Sequence, residues 1–536
     1  MRPVSKQTPD LLLTSKLERI ASETSFQPST DGRVVTVGGS PDTRDPGPHT
    51  AGLTDEPQEF TLTSTRPGVT PGGPQAATDH LGHVVFITAA AAMGGFLFGY
   101  DSSVINGAVV GIQGKFGISH SLLAQVVAAA LLGCAVGAAL AGRIADRIGR
   151  IWVMRIAAVL FTISAVGSAL PFAVWDLTMW RVIGGFGIGM ASVIGPAYIA
   201  EVAPPAYRGR LGSFQQAAIV VGIAISQLVN YGILQMANGD QRGKLGGLEA
   251  WQWMLGVMVV PAVLYGLLSF AIPESPRFLL SVGRDDAAKK VLSEVEGAGT
   301  DLDARAEEIR HAMRREHKST FRDLLGGRGG FLPIVWIGIG LSAFQQLVGI
   351  NVIFYYSSSL WQSVGIDPTS SFLYSFTTSI VNVIGTVIAM LFVDKIGRKP
   401  LSIIGSVGMT ISLALAAWAF SYKTGHGSNI HLPNTQGTVA LVAAHSFVLF
   451  FALSWGVVVW VLLGEMFPNK IRAAALGVAA SAQWIANWVI TVSFPTLSDW
   501  NLSGAYVIYS CFALLSIPFV VFLVKETKGK SLEEMG

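Results

Sequence analysis

The stretch Ala343–Tyr356, A-F-Q-Q-L-V-G-I-N-V-I-F-Y-Y, lies within a long apolar run of the sequence. It carries three amide side chains, Gln345, Gln346 and Asn351, where a lipid-facing helix would tolerate none. A buried amide without a hydrogen-bond partner costs roughly 2–7 kcal/mol in an apolar medium. Because successive residues of a helix turn by about 100°, the three amides can face one cavity only if the helix is broken. We place the break at Gly349 and interpret the stretch as half of a binding site for a small, uncharged solute with many hydroxyl groups.

The composition is that of a membrane protein with several spans. The chain has 536 residues, of which 51% are hydrophobic and 13% charged, and its mean hydropathy is +0.51. Its net charge of +3 gives no reason to expect a nucleic-acid partner. The two cysteines, Cys134 and Cys511, both fall in apolar segments, so we interpret them as small buried residues and predict no disulfide framework.

Apolar segments of about 20 residues recur from His83 onward, and each is long enough to cross a hydrocarbon core of ~30 Å. We therefore predict an all-α integral membrane protein with twelve transmembrane helices. The predicted spans are 84–108, 122–142, 152–172, 176–202, 211–235, 251–272, 331–357, 370–393, 400–421, 438–464, 473–495 and 502–524.

The sequence divides into five parts. Residues 1–80 are rich in Pro, Gly, Ser and Thr, which predicts a disordered N-terminal tail. Residues 81–272 and 331–524 are predicted to form two six-helix bundles. Between them, residues 273–330 carry dense charge, which predicts short amphipathic helices in a cytoplasmic loop. Residues 525–536 form a C-terminal tail.

Positive charges alternate between the loops. By the positive-inside rule, loops rich in Lys and Arg lie in the cytoplasm, so both termini and the 273–330 loop are predicted to be cytoplasmic and the protein to lie in the cell membrane. The basic residues after the even-numbered spans are Arg143, Arg147, Arg150, Arg208, Arg210, Lys395, Arg398, Lys399, Lys470, Arg472, Lys525, Lys528 and Lys530.

These loops also repeat between the two halves. The run Gly142–Arg150 after span two is echoed by Val393–Lys399 after span eight. A Glu followed seven residues later by an Arg occurs after both span four and span ten. Two six-helix pseudo-repeats are typical of a secondary transporter with its solute site between the halves. We predict that the acids and bases of these loops gate the halves, bridging them in one state and parting in the other; the alternative is that they only fix topology. The gating candidates are Arg143, Asp146, Arg150, Glu201, Arg208, Asp394, Arg398, Glu465 and Arg472.

The chain resembles the sugar porter family of the major facilitator superfamily, and most of all its bacterial hexose and pentose proton symporters. The resemblance runs from about residue 98 to residue 534, and the tail is longer than the family usually carries. It implies a carrier, not an enzyme, that imports a monosaccharide with a proton by alternating access. The segments that carry it are Gly142–Arg150, Asp394–Lys399, Glu201–Gly209, P-E-S-P-R at 273–277, Q-Q-L-V-G-I-N at 345–351 and K-E-T-K-G-K-S-L-E-E at 525–534.

Asp101 in span one and Arg181 in span four are charges inside predicted spans, which are functional candidates by default. The two lie at similar depth. The resemblance implies that Asp101 couples transport to a proton and that Arg181 modulates it. The alternative is a permanent structural ion pair.

The resemblance also assigns the sugar contacts. Amides suit sugar hydroxyls because each amide offers both donors and an acceptor. The implied polar contacts are Gln216, Gln345, Gln346, Asn351, Asn382 and Gln483, and the implied aromatic contacts are Phe98, Tyr355, Trp460 and Trp484. The alternative for the amides is hydrogen bonding between helices. The resemblance implies that an apolar residue at the position of Ile223 favours glucose over xylose. The chain departs from the family in span ten, which lacks the prolines that many members carry between Gly456 and Trp460.

The sequence contains no metal-spaced His/Cys cluster and no phosphate-binding loop, so we predict no metal, no cofactor and no ATP-driven pump. The predicted partners are a monosaccharide, a proton and the lipid bilayer, with a monomer as the working unit. Three rivals stay open at this point: a sugar uniporter, a pentose or inositol symporter, and a sugar sensor that does not transport.

Overall fold

The computed structural model describes residues 74–204, 208–296, 301–315, 321–326, 330–424, 432–468 and 470–528. The predicted tail therefore lies outside the described residues up to position 73, and residues 74–80 begin the first helix. The predicted C-terminal tail is described only to residue 528.

Long helices make up almost all of the described chain. Eleven of them are long and apolar enough to cross a membrane. The last, Arg472–Leu523, contains a non-helical residue, Asn501, with φ −162° and ψ 103°. Because about 20 residues suffice for one crossing, this helix supplies spans eleven and twelve, and the predicted twelve-helix fold is confirmed. Spans one to ten are Pro74–Phe116, His120–Ile148, Arg150–Ala169, Val174–Val202, Arg208–Met236, Ala250–Gly256 with Val259–Ala271, Pro333–Leu347 with Ile350–Ser363, Pro368–Ile396, Arg398–Phe420, and Asn434–Leu453 with Trp455–Met466.

Span seven breaks where the sequence predicts. Gly349 has a φ of +84° and begins the second helical segment. A side chain there would be strained by the left-handed backbone, and its Cβ would lie 2.8 Å from the ring of Tyr509. Span ten is also broken, at Ser454, with φ −134° and ψ −90°. The break forms although the segment lacks the family's prolines.

Glycines let spans two and four pack closely. A Cβ on Gly185 would lie 1.9 Å from the carbonyl oxygen of Ala130, and one on Gly133 would lie 2.1 Å from that of Val182. Only residues without side chains allow such backbone contact. The helical character predicted for the 273–330 loop appears as Pro276–Ser281, Asp285–Glu296, Leu302–Arg315 and the 3₁₀ turn Phe321–Leu324.

The bundle has two distinct ends. We call the end that carries Gly149, Gly397 and the 273–330 loop the basic end. The opposite end carries a two-stranded antiparallel sheet, Lys244–Leu245 paired with Leu248–Glu249, and we call it the hairpin end. There the two halves meet at a side-chain contact in which His120 Nδ1 lies 2.8 Å from an Asp499 carboxylate oxygen.

Candidate functional site

Asp101 and Arg181 form an ion pair inside the bundle. Arg181 Nη1 donates to Asp101 Oδ1 at 2.9 Å, and each residue is only 3% exposed. Charges this far from water are costly unless they are paired. The two positions predicted at similar depth are therefore in direct contact.

A small cavity of about 10 Å³ adjoins this pair, which is room for about one water molecule. Tyr355 of span seven and Trp484 of span eleven line it together with Phe98 of span one. Phe98 and Trp484 meet edge to face, with ring centroids 5.7 Å apart. The cavity thus lies where the two halves meet, and both the charged pair and the aromatic rings line it.

The three amides of the opening stretch form a chain around the Gly349 break. Gln345 Nε2 donates to the Trp455 carbonyl at 2.9 Å. Gln346 Nε2 donates to Gln345 Oε1 at 3.4 Å, and Asn351 Nδ2 donates to Gln346 Oε1 at 2.5 Å. Hydrogen bonds therefore join the three amides across the break, but none of them is among the residues that line the cavity beside Asp101.

The other predicted contacts differ in their surroundings. Asn382 is buried, and Gln216 is half-buried. Gln483 Oε1 is buried without a hydrogen-bond partner among the described residues. The same is true of the Oε1 of Gln215, which directly precedes Gln216 in the sequence. Buried polar atoms are normally paired, so these two oxygens are free to accept a hydroxyl.

Two tryptophans of span ten differ clearly in their surroundings. Trp455 is fully buried, and its indole N–H lies 2.9 Å from Ser406 Oγ and 3.2 Å from the Ser402 carbonyl, as suits a packing residue. Trp460, predicted as a sugar contact, is 46% exposed and is not among the residues that line the cavity. The structure does not bring Trp460 together with Phe98, Tyr355 and Trp484.

A charged cluster lies at the basic end of each half. In the first half, Arg150 Nη2 lies 2.9 Å from Glu201 and 3.3 Å from Asp146. Glu274 accepts the backbone N–H groups of Arg150 and Ile151 at 3.0 and 3.2 Å. Burial raises the pKa of Glu274, against the lowering effect of these hydrogen bonds.

The second half repeats the arrangement. Arg398 Nη2 lies 2.8 Å from Glu465 and 2.9 Å from Asp394. Glu526 accepts the backbone N–H groups of Arg398 and Lys399 at 3.0 and 2.9 Å. Burial acts to raise the pKa of Glu526, but backbone hydrogen bonds outweigh it and the pKa is lowered.

The remaining gating candidates are placed differently. Both clusters pair residues within one half and do not bridge the halves in this structure. Arg472 donates to the Phe467 carbonyl at 3.0 and 3.1 Å. Arg143 is exposed, and the side chain of Arg208 lies outside the described residues.

The sequence analysis missed one polar cluster, formed by Asn106, Gln227, Ser357 and Ser358. The signal was available for the two amides, because both fall within predicted apolar spans. No comparable signal marks the serines, since a helical serine commonly bonds to a carbonyl of its own helix.

Residues 87–536 match the Sugar (and other) transporter family. The chain belongs to this family. It is 53% identical over 464 residues to a glucose transport protein of Synechocystis sp., covering 86% of this chain and 99% of the relative. It is 38% identical over 486 residues to the D-xylose-proton symporter of Escherichia coli, covering 84% and 95%. Membership confirms the predicted resemblance and the prediction of a transporter.

Solved structures of the xylose transporter XylE match the fold of this chain. The partially occluded, inward-open form of the E. coli xylose transporter XylE matches with a TM-score of 0.71 and 37% identity, covering 84% of this chain and 100% of that one. XylE bound to 6-bromo-6-deoxy-D-glucose matches with a TM-score of 0.70 at the same identity, covering 85% and 99%. The sugar transporter family thus accounts for both the sequence and the fold.

Proposed function

We propose that this chain imports a monosaccharide together with a proton by alternating access, with glucose as the first candidate. The observation that carries the proposal is the buried Asp101–Arg181 pair beside a cavity that both halves line. The named functions of the relatives, glucose transport and xylose-proton symport, support it, as does an arabinose-proton symporter of Bacillus subtilis that is 34% identical over 466 residues, covering 87% of this chain and 97% of the relative.

The amide chain and the aromatic rings would hold the sugar. Gln345, Gln346 and Asn351 are joined to one another by hydrogen bonds, and Gln345 also donates to the Trp455 carbonyl. A sugar hydroxyl both donates and accepts, so it can replace these partners at little cost. Gln216, Asn382 and Gln483 would add polar contacts, and Phe98, Tyr355 and Trp484 would supply flat apolar faces.

Asp101 would carry the proton. An ionised Asp101 attracts the Arg181 guanidinium strongly in a poorly solvated site. Protonation removes that attraction and frees Arg181 to move, so one proton can change the packing between spans one and four. Because Tyr355 and Trp484 line the same cavity, this change would reach the half that holds most of the amides.

We further propose that the basic end faces the cytoplasm, following the distribution of Lys and Arg. Both termini would then be cytoplasmic, the hairpin end would face outward, and the host membrane would be the cell membrane. One chain supplies both halves of the site, so a monomer in the lipid bilayer would suffice for transport.

Uptake of labelled glucose, xylose, galactose and inositol by transporter-deficient cells tests the proposal. We expect glucose to accumulate above its external concentration, and we expect a protonophore to abolish the accumulation. Uptake that reaches only equilibrium and ignores the protonophore would establish a uniporter. Faster uptake of xylose or inositol than of glucose would reassign the substrate.

A further inference from the structure

A histidine joins two helices of the second half within their apolar segments. His445 lies eleven residues after Asn434, the first residue of span ten, which is roughly 16.5 Å along the helix. The side chain is half-buried, and its Nδ1 lies 2.8 Å from the Leu441 carbonyl oxygen of the same helix. Because a carbonyl oxygen only accepts, Nδ1 carries a hydrogen, and Nε2 is the acceptor of the neutral ring.

Span eight supplies the donor to this nitrogen. The Thr377 hydroxyl lies 3.0 Å from His445 Nε2 and 3.0 Å from the Tyr374 carbonyl oxygen. The Thr378 hydroxyl donates to that carbonyl at 2.7 Å. The single hydrogen of Thr377 can therefore go to His445, since Thr378 already satisfies the carbonyl. A hydrogen bond between side chains thus joins span eight to span ten.

A second contact between the same two helices lies seven residues further along each of them. A Cβ on Gly385 of span eight would lie 2.7 Å from the Cβ of Ala452 of span ten, so the two helices approach closely there. The spacing is equal because both helices run from the hairpin end to the basic end. The two contacts, about two turns apart, together fix the rotation of span eight about its own axis.

Asn382 lies between these two contacts on span eight. It follows Thr378 by four residues, so the two side chains share a face of the helix, and it precedes Gly385 by three. Asn382 is 5% exposed, and its side-chain amide makes no hydrogen bond within the part of the chain that the structure describes. The rotation of span eight, and not a partner of its own, therefore sets the direction of this amide.

We propose that His445 is a positioning residue for sugar recognition, which fixes the rotation of span eight and thereby aims the Asn382 amide at the sugar. An atom at the surface of a helix lies about 5–6 Å from its axis, so a rotation of about 20° moves it by about 2 Å. Such a shift is enough to break a hydrogen bond. The inference rests on the proposed function, in which Asn382 contacts the sugar.

The affinity of the purified full-length protein for labelled glucose, xylose, galactose and inositol tests the inference. His445→Leu keeps about the volume of the side chain and removes both ring nitrogens, while Thr377 can return its hydrogen to the Tyr374 carbonyl. We expect the Kd of the sugar that binds best to rise about fivefold. This is less than the roughly tenfold rise expected when Asn382→Ala deletes the amide itself.

The double variant shows whether His445 acts through Asn382. Two substitutions that act on one contact are not additive, because a positioning residue has no effect once the positioned group is gone. We therefore expect His445→Leu to change the Kd of Asn382→Ala by no more than about twofold. An unchanged Kd in His445→Leu alone, or the same fold-change with and without the Asn382 amide, would overturn the inference.

A conservative variant and a matched control separate positioning from a general loss of stability. His445→Gln places an amide oxygen where it can accept from Thr377, so we expect the Kd to stay within about twofold of the parent value. Ser510→Ala removes another hydrogen bond between helices of this half, from the Ser510 hydroxyl to the Thr410 carbonyl at 3.0 Å. It should leave the Kd unchanged. A Ser510→Ala variant as weak as His445→Leu would reduce the effect to loosened packing and overturn the inference.

Thr377→Val covers the case in which His445→Leu fails to fold, because it removes the same hydrogen bond from the side of span eight. We expect the same fivefold rise and the same lack of additivity with Asn382→Ala, and an unchanged Kd would be equally decisive against the inference. Binding is measured without a proton gradient. A parent that binds a sugar but does not accumulate it would therefore refute proton-coupled import and leave this comparison standing, whereas a parent that binds none of the four would overturn both.

Discussion

The two halves agree at the basic end and differ at the centre. At the basic end, Gly149 and Gly397 take nearly the same backbone, with φ of 97° and 103°. After each glycine, an arginine pairs with a glutamate near the end of another span, and a second glutamate accepts the backbone N–H groups that begin the next helix. A carboxylate is favourable at a helix N-terminus because the backbone N–H groups there have no partner within the helix.

At the centre the likeness ends. The first half holds a buried ion pair, Asp101 with Arg181, whereas the second half holds a neutral chain of amides at a helix break. The repeat therefore preserves the charged clusters at the basic end, and under the proposed function the divergence at the centre would separate proton chemistry from sugar recognition. This division of labour can be tested by removing each group in turn.

The largest effect is expected from Asp101→Asn, which keeps the size of the side chain and removes its charge. Without an acid, no proton can be carried, so uphill accumulation in vesicles with an imposed pH gradient should fall to simple equilibration. Counterflow exchange, which needs no net proton movement, should persist. The accumulation ratio and the exchange rate, both measured with labelled sugar, check this.

Asp176→Asn provides the control for that variant. Asp176 is likewise 3% exposed on span four, but its carboxylate accepts the backbone N–H of Phe172 at 3.2 Å, near the start of the helix. We expect Asp176→Asn to retain accumulation. Normal accumulation in Asp101→Asn would remove the proton role from the first half.

An intermediate effect is expected from Gln345→Ala and from Asn351→Ala. Each loses neutral hydrogen bonds worth about 1–1.5 kcal/mol to the bound sugar, so the sugar Kd should rise about tenfold. The number of protons moved per sugar should not change, because the Asp101–Arg181 pair is intact. Simultaneous measurement of proton and sugar fluxes in proteoliposomes distinguishes the two quantities.

Gln252→Ala is the control for the amide variants, because Gln252 donates to the Ala169 carbonyl within the first half at 2.8 Å and not to another amide of the Gln345–Asn351 chain. It should leave the sugar Kd unchanged. An amide variant that uncoupled protons from sugar at normal affinity would contradict the separation of roles between the halves.

The sequence predicts the helices well and their ends poorly. Hydropathy locates twelve crossings because lipid demands apolar segments of a minimum length. It gives no information on helical turns that extend beyond the lipid. Span one is predicted to end at residue 108, yet the helix runs to Phe116. Its last turns are held by protein contacts, such as the hydrogen bond from the Gly111 N–H to Gln241 Oε1 at 2.8 Å, which no periodicity reveals.

The candidate site could also be predicted only in part from the sequence. Charges and amides inside apolar spans are rare enough that Asp101, Arg181 and the Gln345–Asn351 stretch can be selected from sequence alone. Which of them meet depends on how the helices pack. The Asn106–Ser358 hydrogen bond and the exposure of Trp460 are set by that packing, so neither can be inferred from residue type.

The smallest expected effect separates the two glutamates that cap the basic end. The pKa of Glu526 is lowered in the fold, so its ionised form contributes stability above the unfolded pKa of 4.5, and this contribution is lost as the pH falls through the lowered value. The pKa of Glu274 is raised above 4.5, so its contribution is complete below that pH and is lost as the pH rises through the raised value.

At pH 7, therefore, Glu526→Gln should lower the apparent Tm of the detergent-solubilised protein by about 1 °C, since solvent screens a half-buried carboxylate. Glu274→Gln should leave the Tm unchanged or raise it slightly, because its ionised form is the one that burial disfavours. The difference in Tm between the two variants should disappear as the pH falls below the pKa of Glu526. If both variants instead shifted the Tm equally from pH 4 to pH 7, the two capping sites would be equivalent, and the likeness of the halves at the basic end would extend to their electrostatics.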